Sequence, residues 1–172
     1  MNKKNCILCN QGKIKSFVNL GFSALANNLI SLKDYKKKEK KYPLILGKCE
    51  RCDHVQLRDL VSPKYMFDNY LYLSSASLTL QKHLNSIPEI INKLKKIKKN
   101  DLVIDIGSND ATLLKGYNKF KARTLGVEPA KNLSKYYKKN NINLIGDYFN
   151  VSTANKIKKK YGLAKIITAT NV

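Results

Sequence analysis

The chain has 172 residues, 43% of them hydrophobic, which is enough apolar material for a packed core and excludes a wholly disordered tail protein. Its 33 Lys+Arg against 12 Asp+Glu give a formal charge of +21 and make anionic partners the first question. Only three of the basic residues are arginines (Arg51, Arg58, Arg123) and the lysines are spread over both halves, which disfavours nucleic-acid recognition, because that draws on bidentate Arg and on stacking aromatics.

The chain opens with charged residues and no apolar core of a secretory signal, and no apolar run approaches the roughly 18 residues of a membrane helix. A soluble cytoplasmic protein with reduced thiols is predicted. All four cysteines then fall into two C-x-x-C knuckles, Cys6 with Cys9 and Cys49 with Cys52. Two residues between thiolates let backbone N–H groups curl toward the sulfurs while both sulfurs reach one tetrahedral ion, and two knuckles close its shell. The expected group is a structural Zn²⁺ with no open position for water. It would replace the hydrophobic core that a segment of about 70 residues builds poorly, and removing it should unfold this part first. A redox dithiol fits less well, because it needs a strand before the first cysteine and a helix after it. The long insert between the knuckles predicts ordered structure of its own. The lysine run at 36–41 reads as a solvated loop ahead of Tyr42 and Pro43, and His54 as a loop histidine within reach of the metal's outer shell.

Residues 1–75 are therefore expected to form a small zinc-binding domain, 76–100 a connecting helical segment and 101–172 an α/β domain. In the connector, Ser86 reads as a cap, Pro88 and Glu89 as a first turn, and Ile87, Ile90, Ile91, Leu94 and Ile97 as one apolar face, so the spacing predicts a helix over 86–97. The lysines at 95–99 read as its solvated side and last turn.

From Asp101 the pattern changes to short β-rich runs that alternate with lysine-rich amphipathic stretches. Residues 101–107 form an apolar run with Asp105 and Gly107 at its end, as a buried parallel strand entering a tight turn, and the segment from Ser108 to Leu114 is expected to start a helix. Further strands are predicted at 124–128, 142–145 and 164–172, which gives a doubly wound, Rossmann-like α/β domain. Glu128 closes the second strand, where a carboxylate can accept both hydroxyls of a ribose. Asp147, beside Tyr148 and Phe149 at the end of the third, could flank an adenine. The dinucleotide fingerprint is not met, since Asn109 and Thr112 occupy the second and third glycine positions, and this lowers a nicotinamide cofactor. The alternative is an α/β core in which Asp105 and Glu128 simply cap turns.

Taken together, several stretches resemble one family: bacterial sugar C-methyltransferases with an N-terminal zinc-binding domain, which act on nucleotide-linked deoxyketosugars with S-adenosylmethionine. They are the two knuckles, the run from Leu20 to Asn27, Tyr42-Pro43-Leu44, the segment from Cys52 to Leu57, Tyr70 to Ser75, Asp105 to Asp110, Gly126 to Ala130, and Asn171-Val172. The resemblance implies that Asp105, Gly107, Ser108, Asn109 and Asp110 wrap the methionine end of the cofactor and that Glu128, with Pro129, holds the ribose. It places Asp147, Tyr148 and Phe149 near adenine, adds Asn171 to the cofactor contacts, and brings Tyr70 and Tyr72 close to cofactor or sugar, unless these two tyrosines only pack. Where the family commonly has glycine this chain has Ala111, which crowds the ligand or strains the turn by about 1 kcal/mol. The family's sheet has seven strands, with its acid/base His and Tyr in the later half. This chain stops at the fourth, so no catalytic residue is assigned. It reads as an inactive front part of a methyltransferase, from a split or interrupted gene or an incomplete record, with a nucleotide-linked sugar as substrate only if a second polypeptide supplies the remaining strands. A reading from another class is a non-enzymatic zinc module with a basic nucleic-acid-binding surface, which a steep salt dependence of binding would mark.

Overall fold

The computed structural model of the chain describes residues 5–172. The fold is α/β and divides into two units, Met1–Phe67 and Asp68–Val172. Among the described residues no helix is long and apolar enough to cross a membrane.

The first unit is built on an antiparallel sheet of β1 (Ile14–Ser23), β2 (Tyr42–Cys49) and β3 (Val55–Leu57), in that order, followed by a short helix α1 (Pro63–Phe67). The ordered structure expected between the knuckles is thus a long hairpin. Its register runs Ile14 opposite Cys49 and Ser23 opposite Tyr42, with irregularities between Ser16 and Val18 and between Asn19 and Phe22. Gly21, at φ 80°, lies in the second of these, and the Asn19 side chain accepts its N–H at 2.9 Å. The lysine run at 36–41 is loop, as its composition predicts. Phe17, Leu20 and Phe22 of the hairpin strands are exposed and the strands' other apolar side chains are half-buried, while Cys6 and Cys49 are buried. Among the described residues of this unit, Cys6 and Cys49 are the only fully buried apolar side chains.

The second unit is a parallel sheet ordered β6 (Asn143–Ile145), β5 (Arg123–Val127), β4 (Leu102–Ile106), β7 (Ile166–Ala169). β4 is buried along most of its length because both faces are covered. Val103 packs with Leu84, Leu113, Leu114, Tyr117 and Tyr137 on one side, while Leu102 and Ile104 pack with Leu125, Val127 and Ile157 on the other. The alternation of one strand thus feeds two cores. The connecting helices are α3 (Thr112–Lys115), α4 (Ser134–Asn140) and α5 (Val151–Tyr161). The last is capped by the Asn150 side chain, which accepts the Thr153 N–H at 2.9 Å, and ended by Gly162 at φ 89°.

Two expectations are corrected. The connector helix α2 spans Leu78–Leu94, so it starts eight residues before the predicted point and stops before the lysines at 95–99. Its cap is Ser77, whose hydroxyl accepts the Leu80 N–H at 3.3 Å. Ser86 lies inside the helix and donates back to the His83 carbonyl at 2.7 Å, as interior serines do. Pro88 is likewise interior, at a helical cost of about 3 kcal/mol. It packs closely on Gly116, the C-cap residue of α3, where an added Cβ would come within 2.8 Å of the proline ring. Nor does a helix begin at Ser108: residues 107–111 form a loop, and α3 starts only at Thr112. Three residues of that loop, Gly107, Asn109 and Ala111, have left-handed φ of 63°, 49° and 63°, which no helix accommodates.

Candidate functional site

The four cysteine sulfurs of the first unit lie within 4.8 Å of one another. Cys6 and Cys52 are 3.7 Å apart, as are Cys9 and Cys49. A tetrahedral Zn²⁺ with bonds of about 2.3 Å sets its sulfurs about 3.8 Å apart, so these two pairs already have the edge length of that tetrahedron. Backbone donors curl toward the sulfurs in both knuckles: Leu8 N–H to Cys6, Gly12 N–H to Cys9, and Arg51 and Cys52 N–H to Cys49, at 3.3–3.4 Å. The Gly12 and Gln11 N–H groups pull the Cys9 thiol down to about 6. His54, by contrast, gives a backbone N–H that favours the Cys52 thiolate, yet burial and the three neighbouring sulfurs push that thiol up to about 12. Four sulfurs this close ionise together only around a cation, which is what the donor set fits.

Two residues without sulfur shape this centre. Gly12 is obligatory, because a Cβ there would lie 2.3 Å from the Cys49 sulfur. Gln56, 5% exposed at the inward position of β3, accepts the Ile7 N–H of the first knuckle at 2.8 Å. A glutamine between Val55 and Leu57 in an alternating strand was the available signal for it.

The second cluster stands at the carboxyl ends of β4, β5 and β6. Asp105 is 2% exposed and accepts the Thr168 hydroxyl at 2.7 Å from its in-register neighbour on β7. Burial, and secondarily the Glu128 charge, push its carboxyl up to about 6. Glu128 is also raised by burial, against the two backbone N–H groups that its oxygens accept, Ala130 and Asn109, each at 2.9 Å. The turn after β4 is thus tied to the strand end of β5 through Glu128. Ser108 is buried in a bond of 2.7 Å with the Tyr137 hydroxyl, which itself donates to the Asn109 carbonyl at 2.8 Å. Gly126 leaves room for that pair, since a Cβ there would meet the tyrosine ring at 2.4 Å and the serine oxygen at 2.6 Å. Asp110 is wholly buried, with one oxygen on the Thr112 hydroxyl at 2.6 Å and the other on the Ser75 N–H at 3.0 Å. Ala111, also wholly buried, is held at φ 63°, so the alanine costs the turn about 1 kcal/mol relative to glycine.

The remaining candidates lie around this cluster in different ways. Gly107 abuts the segment after β7, where its absent Cβ would be 2.9 Å from Val172, and Asn171 precedes it at φ 56°. Pro129 is half-buried between Glu128 and Ala130. Asp147 and Phe149 are exposed on the loop after β6, whereas Tyr148 is half-buried and points its hydroxyl at Asp68, 3.3 Å away. Tyr70 and Tyr72 belong to an extended segment whose backbone is bound to Asn132 and Asn109. Thr168, Tyr137, Asn132 and Asp68 were not legible beforehand. They meet the site through parallel register and long-range hydrogen bonds, which leave no periodic trace.

Residues 6–67 match a family model described as "putative zinc binding domain". Across 162 residues, 94% of this chain, the sequence is 26% identical to the C-methyltransferase NovU of Streptomyces niveus, and it spans 39% of that relative's length. The knuckles lie inside the matched domain, so the chain carries a zinc-binding domain of that description and is similar along most of its length to a C-methyltransferase.

Proposed function

We propose that this chain forms the zinc-bearing and cofactor-binding part of an S-adenosylmethionine-dependent C-methyltransferase acting on a nucleotide-linked deoxyketosugar. The observation that carries the reading is the pair of buried carboxylates, Asp105 and Glu128, on adjacent parallel strand ends, in a chain similar to a C-methyltransferase along 94% of its length. Ligands of open α/β sheets bind outside these strand ends.

S-adenosylmethionine, when bound, supplies an activated methyl group on a sulfonium centre. The chain's own residues hold and orient it. Glu128 keeps free lone pairs on both oxygens for the ribose hydroxyls, and its place is set by the Asn109 and Ala130 N–H groups. Gly107, Ser108, Asn109 and Asp110 form a loop fixed from behind by Tyr137 and Thr112, which presents backbone to the methionine end. Exposed Phe149 and Asp147, whose carboxylate accepts the Tyr148 N–H at 2.8 Å, are assigned to the adenine side, and Tyr70 and Tyr72 to the cofactor or the sugar. The Zn²⁺ of the four thiolates is structural, because a shell closed by Cys6, Cys9, Cys49 and Cys52 leaves no position for substrate.

Calorimetric titration with S-adenosylmethionine tests the reading. Glu128→Ala removes two hydrogen-bond-accepting oxygens and is expected to weaken binding about 10- to 100-fold. Since the same carboxylate ties two loops, thermal unfolding of the variant is followed alongside. Equal heats for the two folded proteins would remove Glu128 from the site.

A further inference from the structure

The segment from Asp68 to Ser75 carries seven hydrogen bonds to the strand-end loops, and their order is regular. At the Asp68 end, its carbonyl accepts the Lys131 N–H at 3.1 Å and its carboxylate accepts the Tyr148 hydroxyl at 3.3 Å, on the loops after β5 and β6. Next, Tyr70 donates its N–H to the Asn132 side chain at 3.0 Å and its carbonyl accepts the amide of that same side chain at 2.8 Å. Then Asn109 gives its amide to the Tyr72 carbonyl at 3.0 Å and accepts the Ser74 N–H at 2.9 Å, and Asp110 accepts the Ser75 N–H at 3.0 Å. The segment therefore crosses the ends of β6, β5 and β4 in turn, over the same three loops that carry the candidate cofactor residues.

Asn132 is singular in this strap. It is half-buried, it belongs to no motif, and its side chain copies both bonds of a strand partner on a single residue. Neither bond serves the sheet or a helix, so its evident effect is to hold Tyr70 in place. We propose that Asn132 is a positioning residue: by pairing with both backbone groups of Tyr70 it fixes the strap over the cofactor end and thereby sets ligand affinity. The second half of this statement rests on the cofactor reading above, and the first half does not.

The test uses the full zinc-loaded chain, with zinc content and thermal unfolding monitored. Chymotrypsin cleavage at Tyr70, Leu71 and Tyr72 reports whether the strap is closed, and calorimetry with S-adenosylmethionine reports affinity. Asn132→Ala is expected to speed cleavage about tenfold and to weaken binding about tenfold, as loss of two hydrogen bonds at a locally opening segment predicts. Asn132→Asp keeps the acceptor for the Tyr70 N–H but loses the donor to its carbonyl, so it should fall between on both readouts. A residue with a general structural role would lower the unfolding temperature without this graded pairing of the two. Unchanged cleavage in Asn132→Ala would overturn the clamp, and faster cleavage at unchanged affinity would overturn its link to the ligand. If the unaltered chain takes up no S-adenosylmethionine, the cofactor reading fails, and faster cleavage in the variant still supports the clamp.

Discussion

Stripping the metal with a strong chelator is expected to abolish the fold of residues 6–67. A structural Zn²⁺ in small domains binds with about 10–16 kcal/mol of apparent free energy, and that energy is folding energy where little other core exists. Here the hairpin exposes Phe17, Leu20 and Phe22, and only Cys6 and Cys49, at its open end, are fully buried, so burial of apolar surface does not replace the ion. Amide hydrogen exchange should show loss of protection in β1, β2 and β3, and elemental analysis should give one zinc per chain before chelation. Cys49→Ser, which replaces the most deeply buried ligand, should reproduce the loss even in added zinc. Full protection of the hairpin after verified removal of the metal would refute this.

The second large effect is a pH dependence centred on Asp105. Its carboxyl is pushed up to about 6 by burial, from an ordinary value of 3.8. Between those two values the folded chain binds more protons than the unfolded one, so this group's contribution to stability is present below about pH 4 and is lost as pH rises through about 6. The shift amounts to something on the order of 3 kcal/mol. Asp105→Asn keeps an acceptor for the Thr168 hydroxyl and removes the buried charge, so it should stabilise the second unit above pH 6 by up to that amount and flatten its pH profile. Urea unfolding at pH 5 and pH 8 measures both. An asparagine variant less stable than the parent at pH 8 would mean that the carboxylate is held by favourable partners and not by burial alone. On the proposed function, the buried charge is retained for ligand binding at the expense of stability.

What the sequence discloses follows the range of the interactions. The knuckles are legible because both ligands of each are local, and because only a metal explains four thiols in two pairs. β4 and β5 are legible because strands covered on both sides carry unbroken apolar runs, Leu102–Ile104 and Leu125–Val127, and Asp105 and Glu128 stand directly after them. The start of α2 misleads because Ser86 and Pro88 imitate a cap and first turn. Tertiary packing of Pro88 on Gly116 decides the matter, and that contact joins residues far apart in the chain. The turn at 107–111 misleads in a related way, since its left-handed residues include Asn109 and Ala111, and an alanine carries no signal for that conformation. The strap is invisible for the clearest reason: the Asn132 pair with Tyr70 spans 62 positions and engages only the backbone at one end. Any residue at position 70 other than proline would serve Asn132 equally well.

The claim beneath all of this is that an adenosyl group lodges at the tips of β4 and β5. A crystal grown with S-adenosylmethionine addresses it most directly. The predicted result is a ribose with both hydroxyls in hydrogen-bonding distance of the Glu128 carboxylate and the methionine tail along residues 107–110. Density for the ligand elsewhere, with no ligand atom in hydrogen-bonding distance of Glu128, would contradict it.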